Sequence, residues 1–289
     1  MMQKVAIVTD SVASIPQEMS RELNIRCVPF YVHIDGNAFR DLVNLDCDSF
    51  YDWLPNANKL PTTANPSSAD YEKVYSELVE IGYQQIVSIH ITSLGSGAYQ
   101  AAKIAKRAIL NKFPFLKIEV IDSLNVAMCQ GWMAIEAARA ALRGNNFESI
   151  INLVYKMVPI TQMLQTADTL KFLYMGGRIG SAKHLMGSLL KIKPIISMRD
   201  GVVVSVGQAR SRKKAYQLMA EKVNNIVGNG REIKIAYLHA HALSEIEKIR
   251  ELVEGCTTVV ESLVAELSPA LGVHTGPGTS GLCFFPVIN

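Results

Sequence analysis

The feature that most constrains this chain is a change of hydrophobic period partway along it. Over the first half, short unbroken apolar runs alternate with stretches whose apolar residues recur every three to four positions. Residues 5–8, 85–91 and 117–121 have the length and branched content of buried strands, and 27–34 is strand-like up to the turn dipeptide Asp35-Gly36. Between and after them, residues 16–23, 46–54, 67–81, 98–110, 126–142 and 147–158 carry helical spacing. Ser67 and Asp70 have the spacing of a capping box at one helix start. Strands that alternate with helices predict a mostly parallel α/β sheet.

After residue 158 the texture changes. Residues 194–198 and 202–206 flank Arg199-Asp200-Gly201, which reads as a hairpin. Further strands are expected at 233–239 and 282–287, and helices at 213–227 and 244–253. The chain therefore reads as α/β with two domains. Residues 1–158 form a parallel α/β domain and 159–289 an α+β domain with antiparallel strands, with the boundary near 157–159.

Composition narrows the function classes. With 29 basic and 26 acidic residues the net charge is +3, too mild to point to nucleic acid or a membrane surface. Hydrophobic residues make up 49% while aromatics are only 7%, so the aliphatic surface to be buried is large. The five cysteines are widely spaced and include no C-x-x-C, which suits reduced thiols in a cytosolic protein. The amino end has no signal-peptide core, and no run approaches eighteen apolar residues. A cytoplasmic location is expected.

Several loops carry chemistry. Thr62 and Thr63 lie in a hydroxyl-rich segment between Pro61 and Pro66, and have no capping duty. Thr92-Ser93-Leu94-Gly95-Ser96-Gly97 follows a strand and opens a helix, a place where ligands sit in α/β sheets and where backbone amides suit an anion. The segment lacks a Walker pattern. Gly276-Pro277-Gly278-Thr279-Ser280-Gly281 matches G-x-G-x-x-G, but the eight residues after it leave no room for the helix of a dinucleotide fingerprint. It reads as a tight loop into a last strand. His274 precedes it, either as a core histidine or as an anion partner.

Arg178 among Gly176, Gly177 and Gly180 reads first as a helix-end cation. Arg210 and Arg212 belong to a basic run at a helix start, where the dipole disfavours cations; this favours docking or phosphate contact over packing. His239 and His241 share a strand face without a nearby carboxylate or cysteine, so no metal site is expected. No esterase elbow, zinc-protease motif or paired-carboxylate signature is present. The residues alone give a two-domain α/β protein with an anion-suited, hydroxyl-lined loop cluster and few candidate catalysts, and do not name the ligand. One class left open is an α/β enzyme, a phosphotransferase or hydrolase acting on a small anionic substrate through Ser93 or Asp10.

Taken in order, Ala6-Ile7-Val8-Thr9-Asp10-Ser11, Pro61-Thr62-Thr63, Ser93-Leu94-Gly95-Ser96-Gly97, Gly176-Gly177-Arg178-Ile179, Lys193-Pro194-Ile195, Arg210-Ser211-Arg212-Lys213-Lys214 and His274-Thr275-Gly276-Pro277-Gly278 resemble the DegV family of bacterial fatty-acid-binding proteins. The chain departs from the family pattern at Ala64-Asn65, Leu94-Gly95 and Ala98. The resemblance implies an EDD-type fold and a buried long-chain fatty acid of the palmitate, stearate or oleate class. It implies no cofactor or metal and no catalytic group in this chain.

The partner implied is a fatty acid kinase, which phosphorylates the presented carboxylate. An acyltransferase at the membrane would then use the acyl phosphate. By the same resemblance Thr62, Thr63, Ser93, Leu94, Gly95, Ser96, Arg178 and His274 surround the carboxylate, and Arg210 and Arg212 face the kinase or the phosphate. A ligand pocket of about 300–1,000 Å³ is expected.

Overall fold

The computed structural model describes residues 5–188, 192–228 and 230–288. In chain order its strands are β1 (Val5–Asp10), β2 (Ile25–Val28), β3 (Tyr31–Ile34), β4 (Asn37–Arg40), β5 (Thr62–Ala64), β6 (Gln85–His90) and β7 (Lys117–Asp122), then β8 (Gln162–Thr166), β9 (Lys193–Arg199), β10 (Val202–Ala209), β11 (Glu232–His239), β12 (Thr258–Glu266) and β13 (Ser280–Pro286). Strands β2-β1-β6-β7 form a parallel sheet. After β1, each is fed by a helix, as the alternating pattern predicts.

The run at 27–34 is not one strand. Pro29 offers no N–H to a ladder. The chain leaves the parallel sheet at Val28 and re-enters as β3 in a small antiparallel sheet of order β4-β3-β5. That sheet turns the expected Thr62–Thr63 loop into a short strand.

The third sheet has the order β10-β9-β8-β13-β11-β12. All its pairings are antiparallel except β11 with β12, which run parallel around the helix Ile246–Glu254. The predicted hairpin is present as β9–β10. Asp200 and Gly201 both have positive φ (49° and 79°), the requirement of a two-residue turn whose twist suits a hairpin.

The helix Met128–Leu142 joins the two large sheets. It packs on β1 and β6 on one side and on β13 on the other. Its sequence, MCQGWMAIEAARAAL, is apolar around most of its girth because both faces are covered. Trp132 is fully buried; its indole N–H donates to the Cys283 carbonyl (3.3 Å) and its ring meets Phe285 edge-on. One hydrophobic cluster therefore runs from Val8 and Ile89 through Trp132 to Leu238 and Phe285. No helix among the described residues is long and apolar enough to cross a membrane.

Candidate functional site

A cavity of about 250 Å³ opens between the carboxyl ends of the parallel strands and the face of the six-stranded sheet. That is somewhat below the size expected from sequence. The parallel sheet contributes Val12, Phe30, Ile91 and Val126; the larger sheet contributes Met163, Ile196 and Met198. Strand order changes direction between β1 and β6, so the cavity lies at the switch point where open α/β sheets place ligands.

The polar groups collect at one end. Thr63 on β5 and His274 on the helix Pro269–Thr275 meet there, Oγ1 to Nε2, at 2.8 Å. Burial first, then the neighbouring Arg178 charge, pushes the His274 pKa down to about 4, so the ring is neutral at physiological pH. Its other nitrogen, Nδ1, is buried with no hydrogen-bond partner. Gly176 makes room for the ring: a Cβ there would sit 2.2 Å from Nδ1. An unpaired polar atom in such a place is costly unless something else meets it.

The segment after β6 behaves differently from the expectation of free amides. The N–H groups of Gly95 and Ser96 donate to the Thr92 carbonyl (3.1 and 3.2 Å), and that of Leu94 to Thr92 Oγ1 (3.3 Å). Thr92 organises this turn and was not singled out from sequence. It is buried, and its hydroxyl donates to the Gly201 carbonyl at the hairpin tip (2.9 Å). Gly201 cannot carry a side chain, because a Cβ would lie 2.6 Å from Thr92 Oγ1.

Six of the eight expected head-group residues line the cavity: Thr63, Leu94, Gly95, Ser96, Arg178 and His274. Thr62 and Ser93 do not. Strand alternation turns Thr62 outward beside the inward Thr63, and the turn after β6 leaves Ser93 exposed beside the buried Thr92. Thr62 lines an outer groove with Lys59 and Lys171, while Ser93 is exposed and its N–H faces the Asp122 carboxylate. Arg178 does cap a helix end, as its simplest reading predicts. It donates to the Gly176 carbonyl (2.6 Å) and, more weakly, to that of Gly95 (3.5 Å).

Arg210 and Arg212 part company. Arg210 is exposed. Arg212 is not a free cation: its guanidinium donates to both Asp168 oxygens, to Tyr216 Oη, to Ser280 Oγ and to the Gly278 carbonyl. Those five bonds use every N–H it has. The expectation that packing is unlikely there fails for Arg212. Its long side chain reaches back over the helix start to the loop before β13, an acceptor cluster far away in sequence.

A second polar array lies inside the parallel sheet. Asp10 Oδ2 faces His90 Nδ1 (3.0 Å), and His90 Nε2 meets Ser88 Oγ (2.7 Å), which accepts from Tyr75 Oη (2.8 Å). Gln130 Nε2 donates to Asp10 Oδ1 (2.9 Å). All five side chains are fully buried, and none lines the cavity. Neither nucleophile of the enzyme reading, Asp10 or Ser93, faces the cavity. His239 and His241 also diverge, toward Glu266 and Asp52.

Fold and cavity define an α/β protein of two large sheets and one small one, built around a narrow slot with one polar end. The chain belongs to the DegV family: the family model described as "Uncharacterised protein, DegV family" matches residues 4–287. It is 32% identical to the protein DegV of Bacillus subtilis, over 97% of this chain and 98% of that one. The crystal structure of that DegV, titled a fatty acid binding protein, superposes with a TM-score of 0.88 at 31% identity, covering 99% of this chain and 100% of that one. A DegV family protein from Thermus thermophilus, titled for fatty acid binding, superposes at 0.92 with 28% identity, covering 98% and 100%. A stearic acid-binding protein from Eubacterium ventriosum superposes at 0.84 with 25% identity, covering 99% and 98%.

Proposed function

We propose that this chain binds a long-chain fatty acid in the cavity and presents the carboxylate to a separate fatty acid kinase for acyl-phosphate formation. The observation that carries the reading is the neutral, buried His274, its Nε2 on the Thr63 hydroxyl and its Nδ1 unpartnered, at the polar end of a largely apolar slot. An acyl chain of about fifteen methylenes offers up to ~12 kcal/mol of burial before ordering costs. A carboxylate cannot be buried bare, and neutral donors such as Thr63, Ser96 and His274 meet it without a fixed ion pair. The same donors suit an acyl phosphate, so one site serves before and after phosphorylation.

On this reading the chain is a carrier of a palmitate, stearate or oleate class ligand. Phosphoryl chemistry belongs to the kinase, and the product goes to an acyltransferase at the membrane. Arg212 being anchored, the exposed Arg210 is the residue of that pair proposed to meet the kinase. On this reading the chain divides into 1–158 and 159–289, two parts that share one hydrophobic core, with the acyl chain between them.

Mass spectrometry of an organic extract of the purified protein tests the carrier reading. It is expected to yield near-stoichiometric long-chain fatty acid; an empty extract together with no uptake of labelled palmitate sinks it. Adding a bacterial fatty acid kinase and ATP tests presentation, with acyl phosphate as the expected product.

A further inference from the structure

We propose that Asp41 is a positioning residue that ties three walls of the cavity to one another without touching its contents. The proposal rests on the reading of the cavity given above. Asp41 follows β4, is fully buried, and is not among the cavity-lining residues. Its Oδ2 accepts a hydrogen bond from Ser11 Oγ (2.6 Å), and that hydroxyl accepts one from the Phe30 N–H (3.0 Å). The Asp41 N–H donates to the Phe30 carbonyl (2.9 Å). Its Oδ1 accepts from the Ala270 N–H (3.0 Å), at the start of the helix that carries His274. Val12, Phe30, Leu271 and His274 all face the cavity. One carboxylate thus joins the turn after β1, the segment after β2 and the His274 helix.

The surroundings mark this as a built feature. The titratable groups that face Asp41 are Asp10 from β1, Cys27 from β2, and Cys47 and Tyr51 from the helix Cys47–Trp53. None is a base. Burial pushes the Asp41 carboxyl up to about 6, against the opposing hydrogen bonds from Ser11 and Ala270. The buried Ser268 hydroxyl also favours the ionised form, yet it has no partner at hydrogen-bond distance. Leu42, the next residue, sits in the left-handed region at φ 59°, rare for a leucine. A carboxylate without a cation is expensive to bury, and its donors here all belong to the cavity's frame.

The His274 helix has other supports. Tyr51 Oη donates to the Leu267 carbonyl (2.8 Å), and the Ser268 N–H donates to Ser14 Oγ (3.1 Å). Loss of Asp41 therefore shifts the helix rather than unfolding the protein.

The test compares Asp41→Ala, Asp41→Asn and Ser11→Ala with the unaltered protein by two readouts. One is fluorescence titration with a conjugated-polyene fatty acid of eighteen carbons. The other is the NMR signals of the His274 ring in ligand-free protein, assigned through His274→Gln. Asp41→Ala is expected to bind about tenfold more weakly and to move the ring signals. Ser11→Ala is expected to do both to a smaller degree. Asp41→Asn keeps the shape and an acceptor for Ala270, so it should stay within about threefold of the unaltered protein.

Between pH 7 and pH 5 the unaltered protein should lose affinity more steeply than Asp41→Asn, because protonation weakens charge-assisted bonds. Titration of the ligand and of His274 is common to both. Should Asp41→Ala fail to fold, Ser11→Ala and the pH comparison carry the test. Unmoved ring signals with unchanged affinity in the variants, or identical pH profiles, would overturn the proposal. If the unaltered protein binds no fatty acid, the functional reading falls, and the ring signals alone still decide whether Asp41 positions His274.

Discussion

Two histidines in this molecule each meet a hydroxyl, and only one of them is placed to do anything with it. His90 has Ser88 on one nitrogen and Asp10 on the other, an order that on paper resembles a hydrolase triad. Tyr75 and Gln130 bond the serine and aspartate, and the array is sealed within the parallel sheet. His274 has Thr63 on one nitrogen and nothing on the other, and it borders a cavity. The lesson is that access, rather than the roster of residue types or a single unpaired atom, separates the two clusters: Gln130 Oε1 in the sealed array also lacks a hydrogen-bond partner, but only His274 borders the cavity.

The sharpest way to break this comparison is to remove Asp10. Asp10→Ala strands His90 Nδ1 in the core, while Gln130 keeps Thr9 Oγ1 and the Ile89 carbonyl, and should cost about 3 kcal/mol in urea denaturation. A loss under about 1 kcal/mol would mean that the buried array is not structural.

Next in size is a pH effect. His274 is held neutral, with its pKa lowered from 6.5 to about 4, so its contribution to stability is present above pH 6.5 and is lost as the pH falls toward 4. Asp41, raised from 3.8 to about 6, works the other way: its contribution is greatest below pH 3.8 and declines as the pH rises to 6. The two oppose each other between pH 4 and 6. His274→Asn removes one side, so the variant should gain about 2–3 kcal/mol on the unaltered protein between pH 7 and pH 4. Parallel stability profiles would place the ring in solvent.

A smaller effect is expected on binding. Thr63→Ala should weaken fatty-acid affinity by about 1–2 kcal/mol with little change in melting temperature, whereas Ser88→Ala should do the reverse. Isothermal titration beside a thermal melt separates them, and a shared phenotype would erase the distinction drawn between the two clusters. The smallest effect belongs to Arg210→Ala, expected within about 0.5 kcal/mol in stability. Its slowing of kinase-coupled turnover should be mimicked by added salt. A kinase rate indifferent to both would leave Arg210 as a solvated cation.

The backbone was more legible than the site. β1, β6 and β7 are unbroken apolar runs, and the Ser67–Asp70 capping box and the Asp200-Gly201 turn depend on local geometry, so neighbouring residues suffice to show them. β8 escaped notice because glutamines at 162 and 165 interrupt a short run. β12 escaped because Glu261 reads as a solvent-facing charge, whereas it pairs with Arg139 and Lys234 at the sheet edge. In the site, the hydroxyl-rich segments and His274 were visible as types. Which of two adjacent residues faces inward was not, because Thr62 against Thr63 depends on strand register, and Ser93 against Thr92 on a turn held by the distant Gly201 carbonyl. Arg212 meets Asp168 across 44 residues and Asp41 meets Ala270 across 229, beyond the reach of any local pattern.

Thr63 and His274 are separated by 211 residues. A ligand held by both is therefore recognised only by a molecule whose entire topology is complete; no partly folded chain can offer it a grip. Contacts this distant close late and slowly. Once closed, a ligand at a hundred times its Kd adds about 2.7 kcal/mol to the native state. On the carrier reading, the supply of ligand then sets how long each molecule survives proteolysis, and the abundance of the protein records how much ligand is to spare.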